Sequence, residues 1–557
     1  MILEKVSGAI SAALDMAVRI SYSDGFGDLT LTPGELKRIA EEKSFDRNKL
    51  IKKLDGLCLS HLDQIVAKSE CQNGFYNLYL KKNFIELELG QFLSDMSGYL
   101  KKDGRVDKTV LFDYSSPNIA KPFSVGHLRS TIIGQANLNC HRAIGYKTVG
   151  INHLGDWGTQ FGKLIVAVKK WGKEEEIEKD PIKQLNQLYV KFHSEEESHP
   201  ELSDEARAWF KKLEDGDAEA RRLWKKCVAW SLKEFEAIYD ELGISIDQNQ
   251  GESFYEDKLS DIIAELKRAG LLKESGGALV VELENLPPAL IQKKDGATLY
   301  LTRDLAALKY RLKKYTPERI IYHVGNDQAL HFMQLEAVAK KMGYLDKTKI
   351  VFAGHGLLRL AEGKMSTRRG RFVLLEDLIE KATQKSLQIL EEKGTHLSNR
   401  KNIARQIAIS AIKYADLSQN RKSDIIFSFD RAITMEGNSG PYLQYSYARA
   451  VKLEERFKEQ FPNVKSFSTL SDGGFNIACL MLRIPEVLAT AAENSTPNLV
   501  CDFAYQLASS FNKYYEGERI ISADLEETKS KMFAVVTFKK VLGELFDILG
   551  LAKLSQI

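Results

Sequence analysis

The stretch that most constrains this chain runs from Val110 to Gly134. Val110, Leu111 and Phe112 form a short apolar run, the pattern of a strand buried on both faces. Pro117 and Pro122 keep the following segment out of a helix. A helical pattern then begins near Gly126, with Leu128, Ile132 and Ala136 recurring on one face. Strand, loop and helix N-terminus in that order make a phosphate-binding arrangement, because free N–H groups and the helix dipole point at an anion. Gly126 lets a flat group approach the backbone, and His127 and Arg129 are expected to add donors.

The rest of the chain extends this unit into a parallel sheet. Tyr146 to Asn152 reads as a second strand, followed by a glycine-rich loop over 153–162 that carries Asp156 and Trp157. Two such strands around one helix imply a right-handed parallel unit, whose ligands bind beyond the carboxyl ends of the strands. Farther on, 297–303 reads as a strand, Asp304 to Leu312 as a helix, Arg319 to Val324 as a strand, Gly325 to Gln328 as a loop, a helix continues through Met342, and Lys349 to Phe352 is another strand. Such alternation predicts an α/β domain with a parallel sheet covered on both faces. Residues 1–105 mix a helix (Ile2, Val6, Ile10, Ala13, Met16) with short strands such as Gly74 to Leu80, and Arg47 to Lys53 reads as a basic helical face. Residues 172–240 are charged and helical, and from 375 the chain is expected to be helical to its end.

With 557 residues there is room for three or four domains at roughly 100–200 residues each. A net charge of +3 gives no global polycation, so an RNA partner would be met by local basic patches. The six cysteines are scattered with no C-x-x-C spacing, which argues against a structural zinc and for free thiols in a reducing cytosol. The N-terminus lacks the charge pattern of a secretory signal, and no apolar run approaches the roughly 18 residues of a membrane span, so a cytoplasmic protein away from membranes is expected.

The order Pro117-Asn118-x-Ala120-Lys121-Pro122-x-x-x-Gly126-His127-Leu128-Arg129-Ser130-Thr131 resembles the ATP-binding HIGH motif region of class I aminoacyl-tRNA synthetases, the arginyl enzymes most closely. Ser124 stands where that family usually has the first histidine. Glu362 to Arg371 resembles the KMSKS loop of the same class, with Thr367 in place of its last lysine. Thr434 to Tyr445 resembles the junction into the family's helical anticodon-binding domain, and the segment around Phe75 its N-terminal module.

The resemblance implies a Rossmann-type parallel-sheet catalytic domain over 106–385 with a helical insertion at about 172–250. An N-terminal α+β tRNA-binding module over 1–105, a helical stem-contact region over 386–433 and an all-α anticodon-binding domain over 434–557 would complete the chain. It implies ligation of L-arginine to tRNA(Arg) through an arginyl-adenylate, with ATP as substrate, Mg2+ accompanying it, and a monomer. In such a reaction an amino-acid carboxylate attacks the α-phosphate and pyrophosphate leaves, so the protein acts by positioning and by electrostatic stabilisation. By the resemblance Ser124, Gly126, His127, Gly325, Lys364, Met365 and Ser366 would hold ATP, with His127, Lys364, Ser366 and Lys121 catalytic. Asn118, Glu252, Tyr300, Asp304 and Gln328 would hold arginine, since a guanidinium is best met by bidentate acceptors. Phe75, Tyr442, Tyr445 and Arg449 would meet tRNA by stacking and charge.

Taken one at a time, these residues also have plainer readings. Asp304 alone reads as a helix cap, Tyr300 as a packed strand residue, Lys364 as a surface lysine, and the tyrosines as bundle core. Ser124 also admits a catalytically silent tRNA-binding paralogue, and a class I enzyme for another amino acid is the third reading. Pyrophosphate exchange over an amino-acid panel separates the three.

Overall fold

The computed structural model describes residues 2–23, 26–101, 104–294, 296, 298–360, 374–392 and 399–557. A five-stranded parallel sheet runs in the order Lys349–Phe352, Arg319–Tyr322, Thr109–Asp113, Lys147–Asn152, Gln248–Asn249. The chain lays down the middle strand first, builds outward on one side, then returns to build the other. The order therefore reverses beside Thr109–Asp113, and the crevice left there opens at the carboxyl ends of the strands. Val110, Leu111 and Phe112 are buried on both faces.

The helix Val125–Ala143 packs on this sheet through small residues. A Cβ at Gly134 would clash with the Tyr114 ring, and one at Gly150 would come within 2.9 Å of its hydroxyl. Two glycines thus hold Tyr114 in place, and its hydroxyl donates to the Ser245 carbonyl at 2.6 Å.

Among the described residues, the expected strand over 297–303 is not found. Thr298 makes only an isolated bridge to Gln292, and a helix spans Tyr300–Tyr315. The apolar residues Leu301, Leu305 and Leu308 recur at helical spacing and are buried, so the helical period reaches one turn farther upstream than the β-favouring residues suggest. Nor is the chain purely helical after 375, because Ile425–Phe427 pairs in parallel with Leu358–Leu360.

Residues 2–100 form an α+β module with an antiparallel sheet in the order Ser21–Tyr22, Leu29–Leu31, Phe75–Leu80, Val66–Gln72. Helix Ile2–Leu14 covers it with Ile2, Val6, Ile10 and Leu14. This module docks on the C-terminal helices: Lys82 pairs with Asp472 at 2.6 Å, and Glu86 accepts the Leu470 N–H at 2.8 Å. In the C-terminal bundle Phe511 and Phe538 stack with centroids 3.8 Å apart. Two of its helices, Ile484–Asn494 and Leu525–Leu549, pack directly against Val125–Ala143.

Candidate active site

The loop between the middle strand and its helix is strained. Ser115, Ser116 and Ala120 have φ of 71°, 50° and 62°, a region that non-glycine residues rarely adopt, at a cost of roughly 1–3 kcal/mol each. Three side chains from elsewhere hold them there. Ser130 Oγ accepts the Ser115 N–H, Asn152 Oδ1 accepts the Ser116 N–H, and Ser231 Oγ accepts the Ala120 N–H, each at 3.0 Å. Ser231 lies on the long helix Ala218–Leu242, which also places the Tyr239 hydroxyl 2.8 Å from Ser115 Oγ. The helix Ala218–Leu242 therefore supports the loop from within.

At the helix N-terminus, His127 Nδ1 accepts the Ser124 N–H at 3.1 Å, and the Ser124 hydroxyl lies 3.3 Å from the same nitrogen. The proton of the neutral ring is then on Nε2. Burial, and secondarily the Lys121 charge, pull the pKa of His127 down to about 4. The ring is neutral near pH 7 and offers one fixed donor. Among the described residues, a Cβ at the exposed Gly126 would meet only Ser124 Oγ.

Arg129, expected among the donors to an anion, does not face this space. It is 1% exposed, pairs through Nε with Asp416 at 3.0 Å, and donates from Nη1 to the Gly356 and Ser423 carbonyls at 2.8 Å. It sits three residues after Gly126 on the inward side of the helix and ties the sheet to the helix Arg400–Leu417.

Two of the expected arginine ligands lie together. Asp304 accepts from His331 Nε2 at 2.6 Å, and His153 Nε2 lies 3.7 Å away. Burial pushes its carboxyl up, but His331, His153 and Arg311 outweigh it, and its pKa falls below the ordinary value. Glu252 is held 3.4 Å from Arg303. Burial pushes its pKa up to about 7, partly offset by Arg303 and reinforced by the negative charges of Asp304 and Asp156. Tyr300, 66% exposed, lies one helical turn before Asp304 on the same face. Both residues are helical, rather than spanning a strand-to-helix junction.

Asn118 bridges to Gly155, where any side chain would strike the Asn118 amide oxygen. Gly325 bridges to His355, and Gln328 is exposed at the end of a short 3-10 turn, three residues before His331. Lys364, Met365 and Ser366 lie outside the described residues. On their N-terminal side the chain is fixed by the strand Leu358–Leu360, and on the other Leu374 bridges to Ser124 while the Leu375 N–H donates to the Phe123 carbonyl at 3.2 Å. Leu374 and Leu375 thus lie beside the N-terminus of Val125–Ala143.

Sequence reasoning passed over His331, His153, Arg303, Ser231 and Tyr239. His331 follows Gln328 on the next turn and could have been found from that spacing; Ser231 and Tyr239 carry no local signal, since only the packing of a distant helix brings them in. Of the expected RNA contacts, Phe75 is 38% exposed at a hairpin turn where Asn73 and Gly74 both have positive φ. Tyr442 is half-buried against Tyr505, with centroids 5.7 Å apart. Arg449 lies between the rings of Tyr445 and Tyr515, 4.8 and 4.4 Å from their centroids.

The chain matches the family described as tRNA synthetases class I (R), catalytic domain, over residues 88–429, and the DALR anticodon binding domain over 443–557. It is 41% identical over 495 residues to an arginine–tRNA ligase of Halothermothrix orenii, covering 88% of this chain and 87% of the relative. It is 43% identical over 485 residues to that of Clostridioides difficile, covering 86% and 85%. The solved arginyl-tRNA synthetase of Plasmodium falciparum superposes with a TM-score of 0.81 at 26% identity, over 100% of this chain and 99% of that one. The Thermus thermophilus arginyl-tRNA synthetase, with a TM-score of 0.82 at 21% identity over all of both chains, shares the fold. A catalytic-domain match over more than half the sequence, together with relatives above 40% identity along most of it, means that this chain belongs to the arginyl-tRNA synthetases of class I.

Proposed function

We propose that the crevice divides its labour between a neutral donor side for ATP and an acidic side for arginine. The enzyme ligates L-arginine to tRNA(Arg) in translation, using ATP and passing through an arginyl-adenylate. The observation that carries the division is the Asp304–Glu252 arrangement: two carboxylates that feel each other's charge, one ionised by its histidines and the other half-protonated near pH 7. A guanidinium entering between them would ionise Glu252 and release the repulsion. Tyr300, Asn118 and Gln328 complete the arginine side.

On the ATP side, Ser124, Gly126, Gly325 and Met365 would line the nucleotide. His127 Nε2–H is aimed at charge developing on the α-phosphate and need not change protonation, which suits a reaction driven by electrostatic stabilisation. Lys121, close enough to depress the His127 pKa, supplies a cation, and Lys364 and Ser366 would close from the other side. Serine at position 124 still fixes the His127 tautomer through its backbone N–H, so it does not disable the motif. Magnesium would arrive with ATP as part of the substrate, and no structural zinc is proposed.

For RNA, Phe75 at one end of the chain and Tyr445 and Arg449 at the other are proposed contacts, with Tyr442 supporting the latter pair. The domain limits proposed are 1–105, 106–385, 386–433 and 434–557. The protein is proposed to be a cytoplasmic monomer without membrane association. One stretch, Phe475–Asn494, is apolar enough to count as a span by composition, but it is two helices packed in the bundle. Charging of total tRNA with labelled arginine, compared between the wild type and Asp304→Asn, tests the assignment; equal arginine kinetics would remove Asp304 from the pocket.

A further inference from the structure

Lys413, on the helix Arg400–Leu417, is 1% exposed, and among the described residues no carboxylate pairs with it. Its burial pulls the pKa down to about 7. Such a lysine is costly to fold around, so its surroundings are informative.

Its Nζ donates to the Leu242 carbonyl at 2.6 Å, the last carbonyl of the helix Ala218–Leu242. It also fills the space in which Gly550 would carry a side chain, just beyond the helix Leu525–Leu549. The two helix ends are built alike. Gly243 and Gly550 have φ of 63° and 65°, the Ile244 N–H donates to the Tyr239 carbonyl, and the Leu551 N–H donates to the Phe546 carbonyl, both at 2.8 Å. Each is a left-handed glycine cap, which leaves the final carbonyl without a partner inside its own helix. Both carry the partial negative charge of a helix C-terminus, and the Lys413 amino group lies against both ends.

The two helices lead in opposite directions. Ala218–Leu242 holds the strained loop through Ser231 to Ala120 and through Tyr239 to Ser115, and Tyr239 also accepts from Asn152 at 3.2 Å. Leu525–Leu549 is the last helix of the anticodon-binding bundle, packed on the helix that carries Tyr445 and Arg449. Three further contacts tie the same region. Asn139, on Val125–Ala143, donates to the Asp547 and Ile548 carbonyls at 3.2 and 3.1 Å, and Arg405 pairs with Glu241.

We propose that Lys413 is a positioning residue that couples the anticodon-binding helices to the loop before His127, by holding the C-terminal ends of Ala218–Leu242 and Leu525–Leu549 in one register. A shift of the last helix on RNA binding is carried through this junction to Ser231 and Tyr239, and so to the loop conformation that ATP meets. It rests on the ATP-side assignment above. Coupling of this kind is a free energy shared between two sites and is measured as such.

The experiment is a double-mutant cycle. Charging kcat is measured for wild type and Lys413→Met, each with tRNA(Arg) transcript and with the same transcript carrying substituted anticodon bases. The wild type is expected to favour the native transcript by at least tenfold in kcat. In Lys413→Met that ratio should fall to within threefold of unity, while arginine KM and transcript Kd stay within threefold of wild type. A residue that merely supports the fold would lower kcat with both transcripts and leave the ratio intact, and an unchanged ratio overturns the coupling whatever the overall activity. If Lys413→Met does not fold, Tyr239→Phe takes its place with the same criterion. A wild type that charges both transcripts equally also overturns the coupling, yet leaves arginine activation standing; a wild type that charges neither overturns both.

Discussion

His331 Nε2 lies 2.6 Å from the Asp304 carboxylate, and His153 approaches the same group from the other side at 3.7 Å. The two histidines hold the carboxylate below its ordinary pKa against the desolvation that pushes it up.

Asp304→Asn should therefore raise the KM for arginine by at least about 30-fold and leave the KM for ATP within about threefold, since losing one partner of a desolvated charge pair costs ~2–5 kcal/mol. Steady-state pyrophosphate exchange against both substrates, with tRNA present, measures it.

Glu252 gives arginine binding a pH dependence. Its carboxyl titrates near 7 in the free protein, and a bound guanidinium favours the ionised form, so binding expels a proton. Arginine affinity should rise about tenfold per pH unit below 7 and level off above it. The same raised pKa makes the free protein less stable as pH climbs from the ordinary glutamate range to 7, a loss that arginine should reverse. Glu252→Gln should flatten the binding profile in calorimetric titrations from pH 5.5 to 8.

His127 should behave differently. With a pKa near 4 it stays neutral across pH 5–8, so its own titration should leave no acidic limb in kcat there. His127→Ala should lower kcat for exchange by about 10²–10³-fold, the usual effect of removing one preorganised donor, with little change in arginine KM.

Arg129 belongs to a different class of effect. Arg129→Met strands Asp416, whose carboxyl burial already pushes up to about 6 even beside the guanidinium. Losing one member of such a pair costs ~3–5 kcal/mol. Thermal unfolding should register that loss, while the arginine and ATP KM of the protein that remains folded should be unchanged.

Tyr445→Ala and Arg449→Ala should each raise the KM for tRNA, by about 5- to 150-fold if a base stacks there at ~1–3 kcal/mol, and leave arginine KM alone. These variants are cleaner than removing everything after 434. The helices Ile484–Asn494 and Leu525–Leu549 cover Val125–Ala143, so a truncated catalytic domain would expose the back of the helix that carries His127.

Much of this was legible in the residues themselves. The middle strand, the Val125 helix and the strands at 147, 319 and 349 announce themselves by period and by punctuating proline and glycine. Asp304 and Glu252 read as carboxylates suited to a guanidinium, and the structure brings each within reach of the other's charge. Three things were not legible. Tyr300 reads as a strand residue because Thr298 and Tyr300 favour strand and hide the helical spacing that begins at Leu301. Arg129 reads as a phosphate donor because sequence gives a residue's position along a helix and not the side that the rest of the protein covers. The supports of the strained loop, Ser231 and Tyr239, are ordinary residues of an amphipathic helix whose role exists only once that helix lies across the crevice.

The Arg129–Asp416 pair also sets an order on synthesis. The two residues are 287 positions apart, and Asn139 waits longer still for the carbonyls of Asp547 and Ile548. At 5–20 residues per second, the ribosome takes about 15–60 s to deliver the aspartate after the arginine. For that interval the nascent sheet holds an arginine with no acid to meet it, and the helix under His127 has no bundle at its back. The back of that helix is fully covered only once Leu525–Leu549 has been made.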